Sequence, residues 1–101
     1  MAYVTDWGNK RTYVRHITPF SGKPIRFFKV KHGDAVLSIP ASDIARIVVT
    51  DKEKNLCMIV LKDNRTFYET CQEGWSWIGE NEFGGSFFIE WNDWQKVEFL
   101  K

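Results

Sequence analysis

At 101 residues the chain has room for one domain with one core, and a composition of 44% hydrophobic and 27% charged residues is that of a globular protein. A net charge of +1 gives no overall attraction to nucleic acid or to an anionic membrane. No apolar stretch approaches the ~18 residues of a membrane span, and MAYVTDWGNK lacks the basic-then-apolar order of a signal peptide, so a cytoplasmic location is expected.

Aromatic residues make up 16% of the chain, which leans it toward sheet, because such side chains fit half-buried pleated surfaces. Turn signals recur at short intervals with strand-like runs between them, the pattern of an all-β sandwich or barrel. Residues 10–17 read as an edge strand, and the two prolines and glycine of 18–24 fix a loop. Residues 25–31 and 35–39 form a hairpin about His32-Gly33-Asp34. Residues 44–50 form a strand, with one helical turn allowed near Ser42. Residues 56–62 are apolar on both faces and mark a central strand.

Asp63-Asn64 suits a two-residue turn leading into a strand over 65–71. In that register Cys57 and Cys71 point to opposite faces. A three-residue loop pairs them and permits a bridge, but without a signal peptide free buried thiols are expected. Residues 72–85 read as irregular, and strands over 87–91 and 95–100 close the chain. The reading is one antiparallel β-barrel or two-layer β-sandwich of seven to eight short strands. Its expected core is Phe28, Val30, Leu37, Ile39, Ile47, Val49, Met58, Val60, Phe67, Phe87, Ile89, Val97 and Phe99.

Residues 35–50 align with 85–100 without a gap. Ile39 meets Ile89, Asp43 meets Asp93, Ile47 meets Val97 and Val49 meets Phe99. Each segment reads as strand, corner, strand, with Asp43 and Asp93 expected as structural caps of the corners.

The inventory for catalysis is thin. His16 and His32 are the only histidines, and no nucleophile motif, zinc-ligand spacing or phosphate-binding glycine loop is present. No enzyme activity, metal or cofactor is therefore expected. Two segments suggest binding. Trp75, Trp77 and Phe83, with Glu80 and Glu82 at the rim, combine large aromatics with acidity and suit a protein partner. The same Trp pair also suits a carbohydrate or other small ligand. Residues 1–34 carry seven Lys/Arg against two Asp, while 35–101 carry a net −4. Arg11, Tyr13, Arg15, Arg26, Phe27, Lys29 and Lys31 interleave charge with rings, as in modules that hold single-stranded nucleic acid.

Met58–Tyr68 (MIVLKDNRTFY) resembles the central hairpin of Sm-like RNA-binding barrels at Ile59, Leu61, Lys62, Asp63, Arg65 and Phe67. Asn64 stands at the family's turn glycine, and its leading helix, RNA loop and later Arg-Gly pair are absent. The resemblance implies a curled hairpin and carries no RNA binding with it. The primary expectation is a non-catalytic interaction module that binds a protein or pairs with itself through an open sheet edge. A single-stranded nucleic-acid-binding barrel is the alternative.

Overall fold

A computed structural model describes residues 1–71 and 75–100. The fold is all-β. Its strands are β1 (Ala2–Asp6), β2 (Arg11–Phe20), β3 (Phe27–His32), β4 (Ala35–Pro40), β5 (Ile44–Asp51), β6 (Leu56–Leu61), β7 (Thr66–Cys71), β8 (Ser76–Glu80), β9 (Ser86–Ile89) and β10 (Trp94–Phe99). One antiparallel sheet of ten strands runs in the order β4-β3-β7-β6-β5-β10-β1-β2-β8-β9 and does not close into a barrel. The two strands beyond the expected count are β1 and β8.

The sheet has an internal pseudo-two-fold axis. Read from its two ends, the strand order matches β4 with β9, β3 with β8, β7 with β2, β6 with β1 and β5 with β10. Ile47 and Val97, fifty positions apart in the sequence, face each other at its centre. The turns after β1 and β6 share one hydrogen-bond pattern. Asp6 and Leu61 N–H donate to the Lys10 and Arg65 carbonyls at 3.0 and 2.9 Å, and Asn9 and Asn64 N–H donate back to Asp6 and Leu61. Asn9 and Asn64 both take the left-handed conformation, at φ 63° and 72°, which asparagine tolerates better than most residues. One five-stranded half is the continuous run β3–β7, and the other joins β1 and β2 to β8, β9 and β10. The repeat read at 35–50 and 85–100 is one part of this arrangement.

Burial follows the same symmetry. Ala2 and Cys57, Val4 and Ile59, Phe28 and Trp77, and Ile44 and Trp94 are matched buried pairs. The sheet coils until β3 and β8 meet, with the Phe28 and Trp77 rings 5.7 Å apart. Trp77 also packs on Trp94 at 5.6 Å and on Phe99 at 5.7 Å.

Several expectations need correction. In β6 the buried side chains are Cys57, Ile59 and Leu61, while Met58 and Val60 are only half-buried. Both faces of that strand are apolar, so alternation cannot choose between them, and the register with β5 does. Leu37 is exposed because β4 is an edge with no neighbour to cover it. The turn after β6 holds three residues, which sets Cys57 opposite Glu69. Cys57 and Cys71 then share a face and form a disulfide, with Cα atoms 6.0 Å apart, in place of free thiols. Asp43 and Asp93 do sit at corners, but as backbone partners. Asp43 C=O accepts from Lys62 N–H and Asp93 N–H donates to Glu90 C=O. The Ala41–Asp43 turn has no side-chain cap.

Gly79 makes the packing of β8 on β2 possible. A Cβ there falls 2.5 Å from Val14 Cγ1 and 2.8 Å from the Arg15 carbonyl oxygen. Gly79→Ala is expected to cost about 2 kcal/mol by overpacking, read as a lower midpoint in urea.

Candidate functional site

The expected binding residues divide sharply by burial. Trp75 is 3% exposed and Trp77 is 0% exposed, so these two side chains belong to the core and not to an open surface. They cover the end of the sheet against Phe28, Trp94 and Phe99. Phe83 is the opposite, 88% exposed at the tip of the turn joining β8 to β9.

Asn81 builds that tip. Its Oδ1 accepts from Phe83 N–H at 2.9 Å and Gly85 N–H at 3.1 Å, and its Nδ2 donates to the Ser86 carbonyl at 3.2 Å. Asn81 N–H donates to Gly85 C=O at 2.9 Å, and Gly84 turns the chain at φ 87°. A large apolar ring is thus held in water by a tightly hydrogen-bonded loop. That is preorganisation, which lowers the ordering cost of binding.

Beneath Phe83 lies a groove of about 720 Å³ lined by Tyr3, Arg11, Thr12, Tyr13, Arg15, Asn81, Glu82 and Phe83. Tyr3 and Tyr13 meet edge to face at 5.5 Å, and the Arg11 guanidinium lies 3.6 Å above the Tyr3 ring. A register shift in β2 between Arg15 and Thr18, with His16 at φ 54°, re-aims the strand beside the groove. Arg15 Nη2 donates to the Asn81 carbonyl at a long 3.4 Å, and its Nε is buried without a partner. The guanidinium is therefore under-bonded. Glu80, exposed, faces Arg15 across the β2–β8 pair.

This groove brings Arg11, Tyr13 and Arg15 together with Glu82 and Phe83, residues that the sequence reading assigned to separate surfaces. The remaining basic candidates lie elsewhere. Phe27, Lys29 and Lys31 project from β3, which is not a neighbour of β2 in the sheet, and Arg26 precedes it. Phe27 and Lys29 line a second, distinct groove with Lys23 and Ile25. Tyr3 was missed by sequence reading, because the strand that carries it was missed.

The pseudo-symmetry supplies an internal comparison. The registers match Tyr3, Arg11, Tyr13 and Arg15 to Met58, Thr66, Tyr68 and Thr70. The turn matching Asn81–Gly85 is only Gly33-Asp34 and carries no phenylalanine. The same fold therefore stands without the arginines or Phe83, and these features are not demanded by packing. Among the described residues no three His, Cys, Asp or Glu side chains gather as a metal site, and no helix is long and apolar enough to cross a membrane. No family model, curated protein or solved structure matches the chain.

Proposed function

We propose that this chain is a non-catalytic interaction module that holds a segment of a protein partner in the Phe83 groove. The observation that carries the reading is Phe83 itself, exposed on a turn that Asn81 makes rigid. Tyr, Phe and Arg are the residue types enriched at protein interfaces, and here they converge from two hairpins. The matching partner segment carries an apolar or aromatic side chain to pack on Phe83 and Tyr13, beside a carboxylate for Arg11 and Arg15. Single-stranded nucleic acid is less well served. The basic residues are divided between β2 and β3, and Glu80 and Glu82 flank the groove. The disulfide favours a compartment that keeps cystines oxidised over the cytoplasm.

The test is a displayed peptide library selected against the domain, with Phe83→Ala as the counter-selecting bait. Peptides with an acidic–aromatic pattern are expected, binding the variant about tenfold or more weakly, the loss of a 1.4 kcal/mol contact. Thermal unfolding of the variant should stay unchanged, because Phe83 touches no core. Selected peptides that bind the variant equally well would overturn the assignment.

A second reading, self-association through β4, rests on a specific feature. β4 is an edge strand without one charged residue, and Val36 and Leu37 are exposed on it. Edges are usually guarded by charge. Concentration-dependent dimerisation in sedimentation, abolished by Val36→Lys, is the expected result. A monomer at all concentrations removes this reading and leaves the groove untouched.

A further inference from the structure

Four of the five tryptophans, Trp7, Trp75, Trp91 and Trp94, line a single cleft at one end of the sheet. They arrive from four places: the turn after β1, the residue before β8, the turn after β9 and the start of β10. The Cys57–Cys71 disulfide and the buried faces of Trp75 and Trp94 make the floor. Trp94 Nε1 donates to the Trp75 carbonyl at 2.6 Å, so that indole presents only carbon to the cleft. Trp7 and Trp91 form the walls and remain 36% and 50% exposed. Lys52, Asn55 and Asn92 form the rim. The enclosed space is about 20 Å³, room for one water, so a ligand lies across the mouth against the two exposed indoles.

The pseudo-two-fold provides the control. The positions matching Trp7, Trp75, Trp91 and Trp94 in the other half are Lys62, Arg26, Ala41 and Ile44. The turn at Lys62 closes with the hydrogen bonds of the turn at Trp7. The corner at Ala41 delivers a buried Ile44, as the corner at Trp91 delivers a buried Trp94. Neither turn therefore needs an indole to form. Two large apolar rings are left facing water at one end, whereas the matching groove at the other is lined by Asp43, Leu61, Lys62, Asp63 and Arg65 and carries no aromatic ring.

The rim selects the ligand class. Lys52 is the one charged side chain among the described lining residues, and its Nζ already lies 5.5 Å above the Trp7 ring. Among the described residues a cationic ligand meets like charge there and no carboxylate, which disfavours an ammonium cage. What remains is two flat rings with electron-rich faces, the Asn92 carboxamide, the Asn55 carboxamide, whose Nδ2 already donates to the Cys71 carbonyl at 2.6 Å, and one ammonium. A pyranose ring presents the complement: C–H bonds with partial positive charge on one face, and hydroxyls around its edge that both donate and accept. We propose that this cleft is a saccharide site, in which Trp7 and Trp91 stack on a sugar ring and Lys52, Asn55 and Asn92 bond its hydroxyls.

The site shares no residue with the Phe83 groove, so each stands or falls alone. The probes are soluble oligosaccharides of glucose, N-acetylglucosamine, mannose, galactose and xylose, added to protein carrying ¹⁵N-labelled tryptophan. At least one sugar is expected to move the Trp7 and Trp91 indole N–H signals saturably below about 20 mM, while Trp77 stays in place. Trp91→Ala and Trp7→Ala should each weaken that binding about tenfold with an unchanged unfolding midpoint. No movement with any sugar, movement that survives both substitutions, or a response to tetramethylammonium in place of sugars would overturn the proposal.

Discussion

Trp77→Ala is expected to lower stability by about 3–5 kcal/mol, the range for truncating a buried large aromatic. Trp77 is fully buried at the point where the coiled sheet meets itself, in contact with Phe28, Trp94 and Phe99. Removing its ring opens a cavity between the two halves, bordered by Phe28 of one and by Trp94 and Phe99 of the other. A whole domain of this size has only about 5–15 kcal/mol in hand, so the variant should unfold at a far lower urea concentration. Trp77→Phe supplies the contrast. Its ring keeps much of the contact and removes the Nε1 donor, which is buried without a partner. A loss well below that of alanine is expected, since an orphaned buried donor costs about 1–3 kcal/mol. If phenylalanine costs as much as alanine, the packing picture is wrong.

Removing the disulfide is the second large effect. Cys57 and Cys71 join adjacent strands β6 and β7 with a sequence separation of 14, and closing a loop of that length constrains the unfolded chain by about 3 kcal/mol. Cys57→Ala with Cys71→Ala is expected to lower the unfolding midpoint by roughly 15 °C. Both sulfurs are buried, so dithiothreitol should act slowly on the native protein and quickly once urea opens it. Mass spectrometry of the chain alkylated in urea gives the direct check. Incorporation of two alkyl groups without prior reduction would show that the bond is absent.

Sheet content and eight of the ten strands were legible because turn residues punctuate runs of aromatic and β-branched side chains. The two missed strands have physical explanations. In β1 only Ala2 and Val4 turn inward, too little apolar weight for alternation to register. In β8, Gly79 reads as a break in Ser76-Trp77-Ile78-Gly79-Glu80, yet glycine is there because Val14 and Arg15 press against it. The repeat was visible over 35–50 and 85–100, where the spacing is uniform. It was hidden in the first hairpin because Asn9 and Asn64 are 55 positions apart while Asp43 and Asp93 are 50. No single offset therefore aligns the halves.

The sites were harder to read. Rings and charges at 75–87 and 10–31 were recognised as unusual, but sequence cannot separate a tryptophan that closes a core from a phenylalanine held in water. Trp75 and Trp77 fall on the first side and Phe83 on the second. The signal for the cleft was present as Trp7-Gly8-Asn9 and Trp91-Asn92-Asp93, indoles set directly beside turn residues where a core has little room for them.

Binding of a partner segment is proposed for the Phe83 groove, which is present in only one of two matched halves. It is tested most directly by ¹H–¹⁵N correlation spectra of the labelled protein titrated with a peptide from the library selection. The expected result is a continuous set of shifts over Arg11–Arg15 and Asn81–Gly85, saturating together, with the matched strand around Tyr68 unmoved. Shifts centred on Tyr68 or on the β4 edge, with Phe83 silent, would contradict it.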